Sequence, residues 1–260
     1  MIDILSKIIR EVGDLILIWR NSGFFEGQWE GSQFKAEADQ MAHKELKKLL
    51  QRLDPSIPVV SEEDGKSLTE KRADRYWLID PIDGTASFAN GFNGFVTQVA
   101  LIEKSSPMYA AIFAPALDRL YTAQRGGGAF LNDTRLKLNA KKRMDTLIDN
   151  YPEPRGIAMN VYCDYGFKNY IECGSISLKI CKVADGTADL FIKDVIVRDW
   201  DLAAPGLVLE EAGGNLTDIE GRKITYKGSY EHFGLIAAYD NNINSMISSW
   251  HSNFKKDNQE

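Results

Sequence analysis

The stretch 77–88, WLIDPIDGTASF, ends an apolar run in two aspartates, Asp80 and Asp83, with Pro81 and Ile82 between them and Gly84 and Thr85 behind. RYWLID reads as a buried strand, and a buried carboxylate without compensation costs several kcal/mol. Two other places repeat the arrangement. IPVVSEED runs a short strand into Glu62, Glu63 and Asp64, and Asp201 follows Trp200 at the start of the helical stretch WDLAAPGLVLEEAGG. Singly, each acid has an ordinary structural explanation. Asp80 caps an Asp-Pro turn, Asp83-Gly84 is a plain turn, Glu62-Glu63 is a solvated loop and Asp201 is a first-turn acid favoured by the helix dipole. Together they favour a hard divalent cation, which carboxylate and carbonyl oxygens bind well. Ligands gathered from scattered strand ends fit a folded metal site, and DPIDGT lacks the regular acidic spacing of an EF-hand loop.

Gly84, Thr85 and Ala86 open a short predicted helix through Phe88. Its free N–H groups would face an anion, and Gly84 lets that anion approach the backbone closely. Carboxylates that bind metal beside such a cradle suit metal-assisted hydrolysis of a phosphate ester.

The surrounding composition is that of an ordinary globular protein: 260 residues, 44% apolar and 26% charged, with a formal net charge of −6. With no strongly basic stretch, nucleic acid is not expected as a primary partner. Cys163, Cys173 and Cys181 are too few and too irregular for a disulfide framework or a zinc cluster, so buried free thiols in a reducing compartment are expected. The N-terminal segment is an amphipathic packing helix rather than a signal peptide, because Asp3, Lys7, Arg10, Glu11 and Asp14 interrupt it. No run reaches the ~20 apolar residues of a membrane span. The expected location is cytoplasmic, with no membrane partner.

A second helix is predicted from about Ala38 to Leu53, then strands at IPVV, RYWLID, FVTQVALIEK and PMYAAIFAP, the last two joined by a turn at Ser105-Ser106. Gly126 to Gly128 fit a tight β-turn better than a phosphate loop, since no helix follows them. Past about Asn139 the pattern alternates: helix SISLKICKVADG, strand TADLFI, helix WDLAAPGLVLEEAGG, strands NLTDI and FGLIAAY, a last helix over about 242–252, and a disordered-looking tail from Asn253. This predicts two halves, 1–140 and 141–260, packed as one unit with the site between them.

WLIDPIDGTASF resembles the first signature of the inositol monophosphatase superfamily, Asp-Pro-(Ile/Leu)-Asp-Gly-Thr-x-x-Phe, with every fixed position filled. WDLAAPGLVLEEAGG resembles the second, and SEED and AEAD resemble the upstream acidic elements; the matches run in family order from about residue 35 to 217. The resemblance implies an α/β fold, the layered αβαβα sandwich, and lithium-sensitive, Mg²⁺-dependent phosphomonoester hydrolysis with two or three ions per site. It places Glu62, Asp80 and the carbonyl of Ile82 on a first ion, Asp80, Asp83 and Asp201 on a second, and Glu62 near a weaker third. Thr85 and Asp39 would polarise the attacking water. Asp83, Gly84 and Thr85 would line the phosphate, the last two through their backbone N–H groups.

Members of the superfamily hydrolyse inositol monophosphates, 3′-phosphoadenosine 5′-phosphate or fructose bisphosphate with nearly the same metal site. PVVSEED with RYWLIDPIDGT is close to the bisphosphate nucleotidases, and Lys179 stands where inositol monophosphatases usually have Asn. Lys193 falls where a nucleotidase has Arg, suited to a second phosphate, or else is an exposed lysine beside Asp194. Toward the inositol enzymes, Gly174-Ser175 matches in register. Asp194, counted back from Trp200-Asp201, falls where they place a carboxylate for inositol hydroxyls. Counted forward from Ala188-Asp189, Lys193 takes that position, so the segment is one residue longer, and Glu172 replaces an Arg that many of them carry. The balance favours a 3′(2′),5′-bisphosphate nucleotidase, with inositol-1-monophosphatase or a broad sugar-phosphate phosphatase as the alternatives. A non-catalytic regulatory protein ranks lower because every metal and water-activating position is filled. The expected partner is a small phosphorylated substrate, either a nucleotide bisphosphate or an inositol or sugar phosphate. Resemblance also points to a homodimer, though no heptad or isolated apolar patch marks one.

Overall fold

Apolar residues at helical spacing give helix α1 (Ile2–Asn21), which buries Leu5, Ile9, Val12 and Ile16. A hairpin of β1 (Gly27–Glu30) and β2 (Gln33–Ala36) leads into α2 (Glu37–Leu53), whose Ala42, Leu46 and Leu50 are also buried. The computed structural model describes residues 1–23, 27–30, 33–68, 71–138 and 144–257. Next come β3 (Val59–Ser61), a 3-10 turn over Glu62–Ser67, β4 (Arg75–Asp83) and the one-turn helix α3 (Thr85–Ala89). The meander β5 (Val96–Glu103), β6 (Ser106–Ala114), β7 (Arg119–Gln124), β8 (Gly128–Leu131) and β9 (Thr134–Leu136) completes a sheet ordered β3-β4-β5-β6-β7-β8-β9.

The second sheet is ordered β11-β10-β12-β14-β13. Its strands are β10 (Thr146–Asp149), β11 (Asn169–Glu172), β12 (Leu190–Arg198), β13 (Asn215–Thr217) and β14 (Glu231–Ala238). Helix α4 (Ile157–Tyr165) links β10 to β11, α5 (Ile176–Ala184) links β11 to β12, and α6 (Asp199–Ala212) follows β12 without a loop. The last helix is α7 (Asn241–Asp257).

Three apolar clusters define the layers. One joins α1 and α2 to the first sheet, a second holds α5 and α6 between the two sheets, and a third joins α4 and α7 to the second sheet. This is the αβαβα sandwich. The middle layer is apolar almost all round: of α6, Leu202, Ala203, Leu207, Val208 and Leu209 are all buried, as expected of a helix covered on both sides.

A bulge in β4 decides where its acids point. Opposite β5, Asp80 pairs with Gln98 and Asp83 with Val96, so three steps along β4 match two along β5. In a regular strand, residues three apart lie on opposite faces. The extra residue cancels that alternation, and Pro81, which has no N–H to give a ladder, sits inside the irregularity. Ile79 and Ile82 accordingly both join the cluster under α1 and α2, while Asp80 and Asp83 turn to the other side, opposite Gln98 and Val96.

Other expectations need correction. The β5–β6 turn is centred on Lys104 and Ser105, both at positive φ (46° and 61°), so Ser106 already belongs to β6. The tail from Asn253 continues α7 to Asp257. Cys173 and Cys181 are buried free thiols, but Cys163 is exposed. The short strands β10 and β11 and helix α4 carry too little periodicity to stand out in the sequence. The expected boundary at 140 falls within 139–143, outside the described residues. Among the described residues no helix is long and apolar enough to cross a membrane.

Leu178 of α5 is fully buried between the sheets. Leu178→Ala is expected to cost roughly 2–5 kcal/mol of stability, read as a lowered urea midpoint at unchanged slope.

Candidate active site

Asp80 and Asp83 from the bulged end of β4 meet Asp201 from the first turn of α6, with one carboxylate oxygen of each inside a 4.8 Å group. Burial, then the charges of Glu62, Asp83, Asp201 and Asp39, push the Asp80 carboxyl well above its ordinary range. Asp201 is raised as well, by burial and by Asp83 and Glu62. Without a counter-charge this is an unfavourable gathering of like charges.

Asp83 and Asp201 are each held from behind. Asp83 Oδ2 accepts from Ser175 Oγ (2.6 Å) and from the backbone N–H of Ser177 (2.7 Å), so it caps the start of α5. Ser175 Oγ in turn accepts from Leu178 N at 2.9 Å. Asp201 Oδ2 reaches back to accept from the backbone N–H of Arg198 (2.7 Å), the residue that precedes α6. Pro205 lies four residues on, and its missing N–H leaves the Asp201 carbonyl without a helical partner. Ser177 Oγ donates to that carbonyl at 3.1 Å, and Gln98 Nε2 donates to both Ser177 Oγ (2.7 Å) and Trp200 O (2.8 Å). One polar chain from β5 thus ties α5 to α6 beneath the acids.

A second brace lies one step further out. Asp199, fully buried, accepts from Arg72 Nη1 and lies 2.6 Å from His232 Nε2. Arg72 also donates to the carbonyls of Gly228 and Ser229 and stacks on Tyr230 at 3.8 Å. His43 Nδ1 lies 2.9 Å from Ser61 Oγ, just ahead of Glu62. Two histidines that sit apart from every motif in sequence therefore steady residues beside them in space. Arg72, Gln98, Ser177 and Asp199 carry no motif of their own, and only a buried polar residue in an apolar run hinted at Gln98.

Thr85 Oγ1 lies 2.9 Å from the carbonyl of Ile82 and 3.3 Å from Asp39 Oδ1, so its single hydrogen has two acceptors. Asp39 is buried at the start of α2. Gly84 has φ +90°, and a Cβ there would lie 3.0 Å from Gly94 O and 3.3 Å from Ser175 Cβ. Only glycine fits that turn without strain.

The donor set fits a hard cation. Asp80 Oδ1 is a buried carboxylate oxygen with no hydrogen-bond partner, inside an all-oxygen group of three carboxylates. An unpartnered buried charge is what a divalent ion compensates.

The selectivity candidates fall elsewhere. Ser175 is fully buried, and its hydroxyl is committed to Asp83 and Leu178 N. Lys179 is also fully buried, with its ammonium on Asn150 Oδ1 and on the carbonyls of Cys173 (3.2 Å) and Gly174 (3.4 Å). Its three donors are directed to acceptors inside the protein. Lys193 is no exposed lysine: its side chain is 15% exposed and its Nζ lies 2.6 Å from Asp149 Oδ1. Asp194 is exposed, and its charge acts on His251 of α7. The extra residue of this segment is a bulge, because Lys193 pairs with Leu235 and Ile196 with Phe233, three steps against two. The triple-glycine turn has its own anion: Gly126 N and Gly128 N donate to the two oxygens of Glu211 at 2.8 and 2.9 Å.

The model of the inositol monophosphatase family matches residues 21–250. An inositol-1-monophosphatase of Rhizobium meliloti is 33% identical over 199 residues, covering 73% of this chain and 74% of the relative. A 3′(2′),5′-bisphosphate nucleotidase CysQ of Aggregatibacter actinomycetemcomitans is 34% identical over 199 residues, with 73% and 74% covered. The crystal structure of the extragenic suppressor protein suhB of Bartonella henselae superposes with a TM-score of 0.80 at 25% identity, covering 95% of this chain and 96% of that one.

Replacing one of the crowded charges should separate stability from metal binding. Asp80→Asn is expected to raise the melting temperature of the metal-free protein, by roughly 2–4 °C per kcal/mol of repulsion relieved. The same variant should lose the further rise that a divalent cation gives the wild type, as measured by melting in EDTA and in excess Mg²⁺.

Proposed function

The chain belongs to the inositol monophosphatase family, and from that premise we propose that it is a Mg²⁺-dependent phosphomonoesterase acting on small phosphate esters. The observation that carries this reading is the convergence of Asp80, Asp83 and Asp201, with an unpartnered Asp80 oxygen, beside the Gly84–Thr85 turn. Asp80, Asp83, Asp201, Glu62 and the carbonyl of Ile82 are the groups that would hold two or three ions. Magnesium, when bound, would acidify a water and offset negative charge on the phosphate. The N–H groups of Gly84 and Thr85 bind phosphate oxygens at the opening of the short helix, where no side chain obstructs approach. Thr85 Oγ1 accepts from the attacking water while donating to Asp39 Oδ1, which orients the water's lone pair towards phosphorus. Histidine is not required for that proton, consistent with the bracing roles of His43 and His232.

For substrate choice, the reading best supported is an ester recognised through one phosphate, such as an inositol or sugar monophosphate. The two lysines that favoured a bisphosphate nucleotidase both have internal partners, Lys179 on the Cys173–Gly174 turn and Lys193 on Asp149. A second reading keeps the nucleotidase. Tyr151 is 43% exposed and its ring centre lies 5.9 Å from Lys193 Nζ, a pairing that suits a base beside a second phosphate.

The test is phosphate release from inositol 1-phosphate, 3′-phosphoadenosine 5′-phosphate and fructose 1,6-bisphosphate, compared by kcat/KM in Mg²⁺. All activity should vanish with EDTA, and Thr85→Ala should lower kcat by about 10²-fold or more. Hydrolysis that persists without divalent metal would overturn the enzyme reading. A dominant preference for 3′-phosphoadenosine 5′-phosphate that Lys193→Met abolishes would establish the second reading over the first.

A further inference from the structure

We propose that Lys179 is a positioning residue for the metal-binding carboxylates, acting through the turn Cys173–Ser175. The proposal deepens the phosphatase reading and rests on it for its kinetic readout, though not for its binding readout. Lysine is rarely buried completely, and here burial pushes the ammonium down to about 8. A charge kept at that cost needs a compensating role.

The bonds of the ammonium show where the compensation lies. Its acceptors are the carbonyls of Cys173 and Gly174, which form the turn between β11 and α5, and Asn150 Oδ1, just past the neighbouring end of β10. The Cys173 N–H is already given to Asp149 O, so Cys173 is fastened to β10 through its N–H and to Lys179 through its carbonyl. Phe191 of β12 closes the site, its ring centre 4.8 Å from Nζ.

The same turn delivers Ser175 Oγ and Ser177 N to Asp83 Oδ2. It has no slack on its far side: a Cβ on Gly174 would collide with Ser87 Oγ and lie 2.9 Å from Gly94 O. A rigid path therefore runs from the ammonium, through two peptide carbonyls, to the hydroxyl that orients Asp83. Without the ammonium one buried and one half-buried carbonyl lose its donation and the turn is free to relax, which turns Ser175 away from the carboxylate. Lys179 makes no hydrogen bond to the acids; its charge reaches Asp83 through space, and its bonded route to that carboxylate runs through the turn that carries Ser175.

A double-mutant cycle on cation binding tests this without turnover. Mg²⁺ binding is measured by calorimetry, and Mn²⁺ binding by electron paramagnetic resonance, for wild type, Lys179→Met, Ser175→Ala and the double variant, with melting curves to establish folding. Residues that support metal ligands from behind typically change affinity by about 10–100-fold. Lys179→Met and Ser175→Ala should each weaken binding by about tenfold, and the double variant should be no weaker than the worse single one. At saturating Mg²⁺, KM for inositol 1-phosphate should move less than kcat. Asn150→Ala removes one acceptor from the part-buried side and should weaken affinity in the same direction by less than Lys179→Met does, which keeps the test alive if Lys179→Met fails to fold. Unchanged cation affinity in both Lys179→Met and Asn150→Ala overturns the proposal. So does full additivity in the cycle, or a raised KM with cation affinity intact, which would mark a substrate contact. A wild type that binds Mg²⁺ but hydrolyses no ester defeats the phosphatase reading while leaving the binding cycle to decide this one.

Discussion

Mutual repulsion among carboxylates is the constraint around which the molecule is arranged. Asp80, Asp83 and Asp201 sit inside one 4.8 Å group, with Glu62 and Asp39 adding to the field. A chain optimised only for stability would not keep them there, since partly compensated buried charge is destabilising. Holding them requires backbone devices that override the regular period of a strand and the regular hydrogen bonding of a helix. The bulge in β4 brings Asp80 and Asp83 to one face, and Pro205 frees the Asp201 carbonyl for Ser177.

The middle helical layer supplies the counterweight. Helices α5 and α6 both start at the site, and their first turns take up the acids through caps rather than through cations. Asp83 receives the Ser177 N–H and the Ser175 hydroxyl, and Asp201 receives the Arg198 N–H. The positive end of a helix favours a nearby anion without introducing a mobile side chain. Positive side chains are used one step back, where Arg72 grips Asp199 and Lys179 grips the Cys173–Gly174 turn. Their charge steadies the scaffold from behind the carboxylate group.

Legibility followed the reach of each signal. Long amphipathic helices and the antiparallel meander announce themselves by periodicity, and the acidic ends of β3 and β4 stand out because a carboxylate closing an apolar run is locally costly. Short parallel strands such as β10 and β11 leave no such mark. The substrate-facing assignments were least legible, because residue type says nothing about which way a long side chain is committed. Lys179 and Lys193 read as anion receptors, yet one is spent on peptide carbonyls and the other on Asp149. Asp194 fell one place late in the count because β12 carries a bulge there, a feature defined by its pairing with β14 and invisible within the segment itself.

The sequence by itself determined the chemistry on offer: two aspartates around a proline, then glycine and threonine, is a local arrangement whose cost and geometry are set by neighbours in the chain. Tertiary structure alone decided which other groups meet it. Asp201 arrives from 118 residues beyond Asp83, and Ser175, Ser177 and Gln98 become its supports because two sheets clamp α5 and α6 between them. Contacts of that kind depend on packing across layers, and no period or spacing within one segment encodes them.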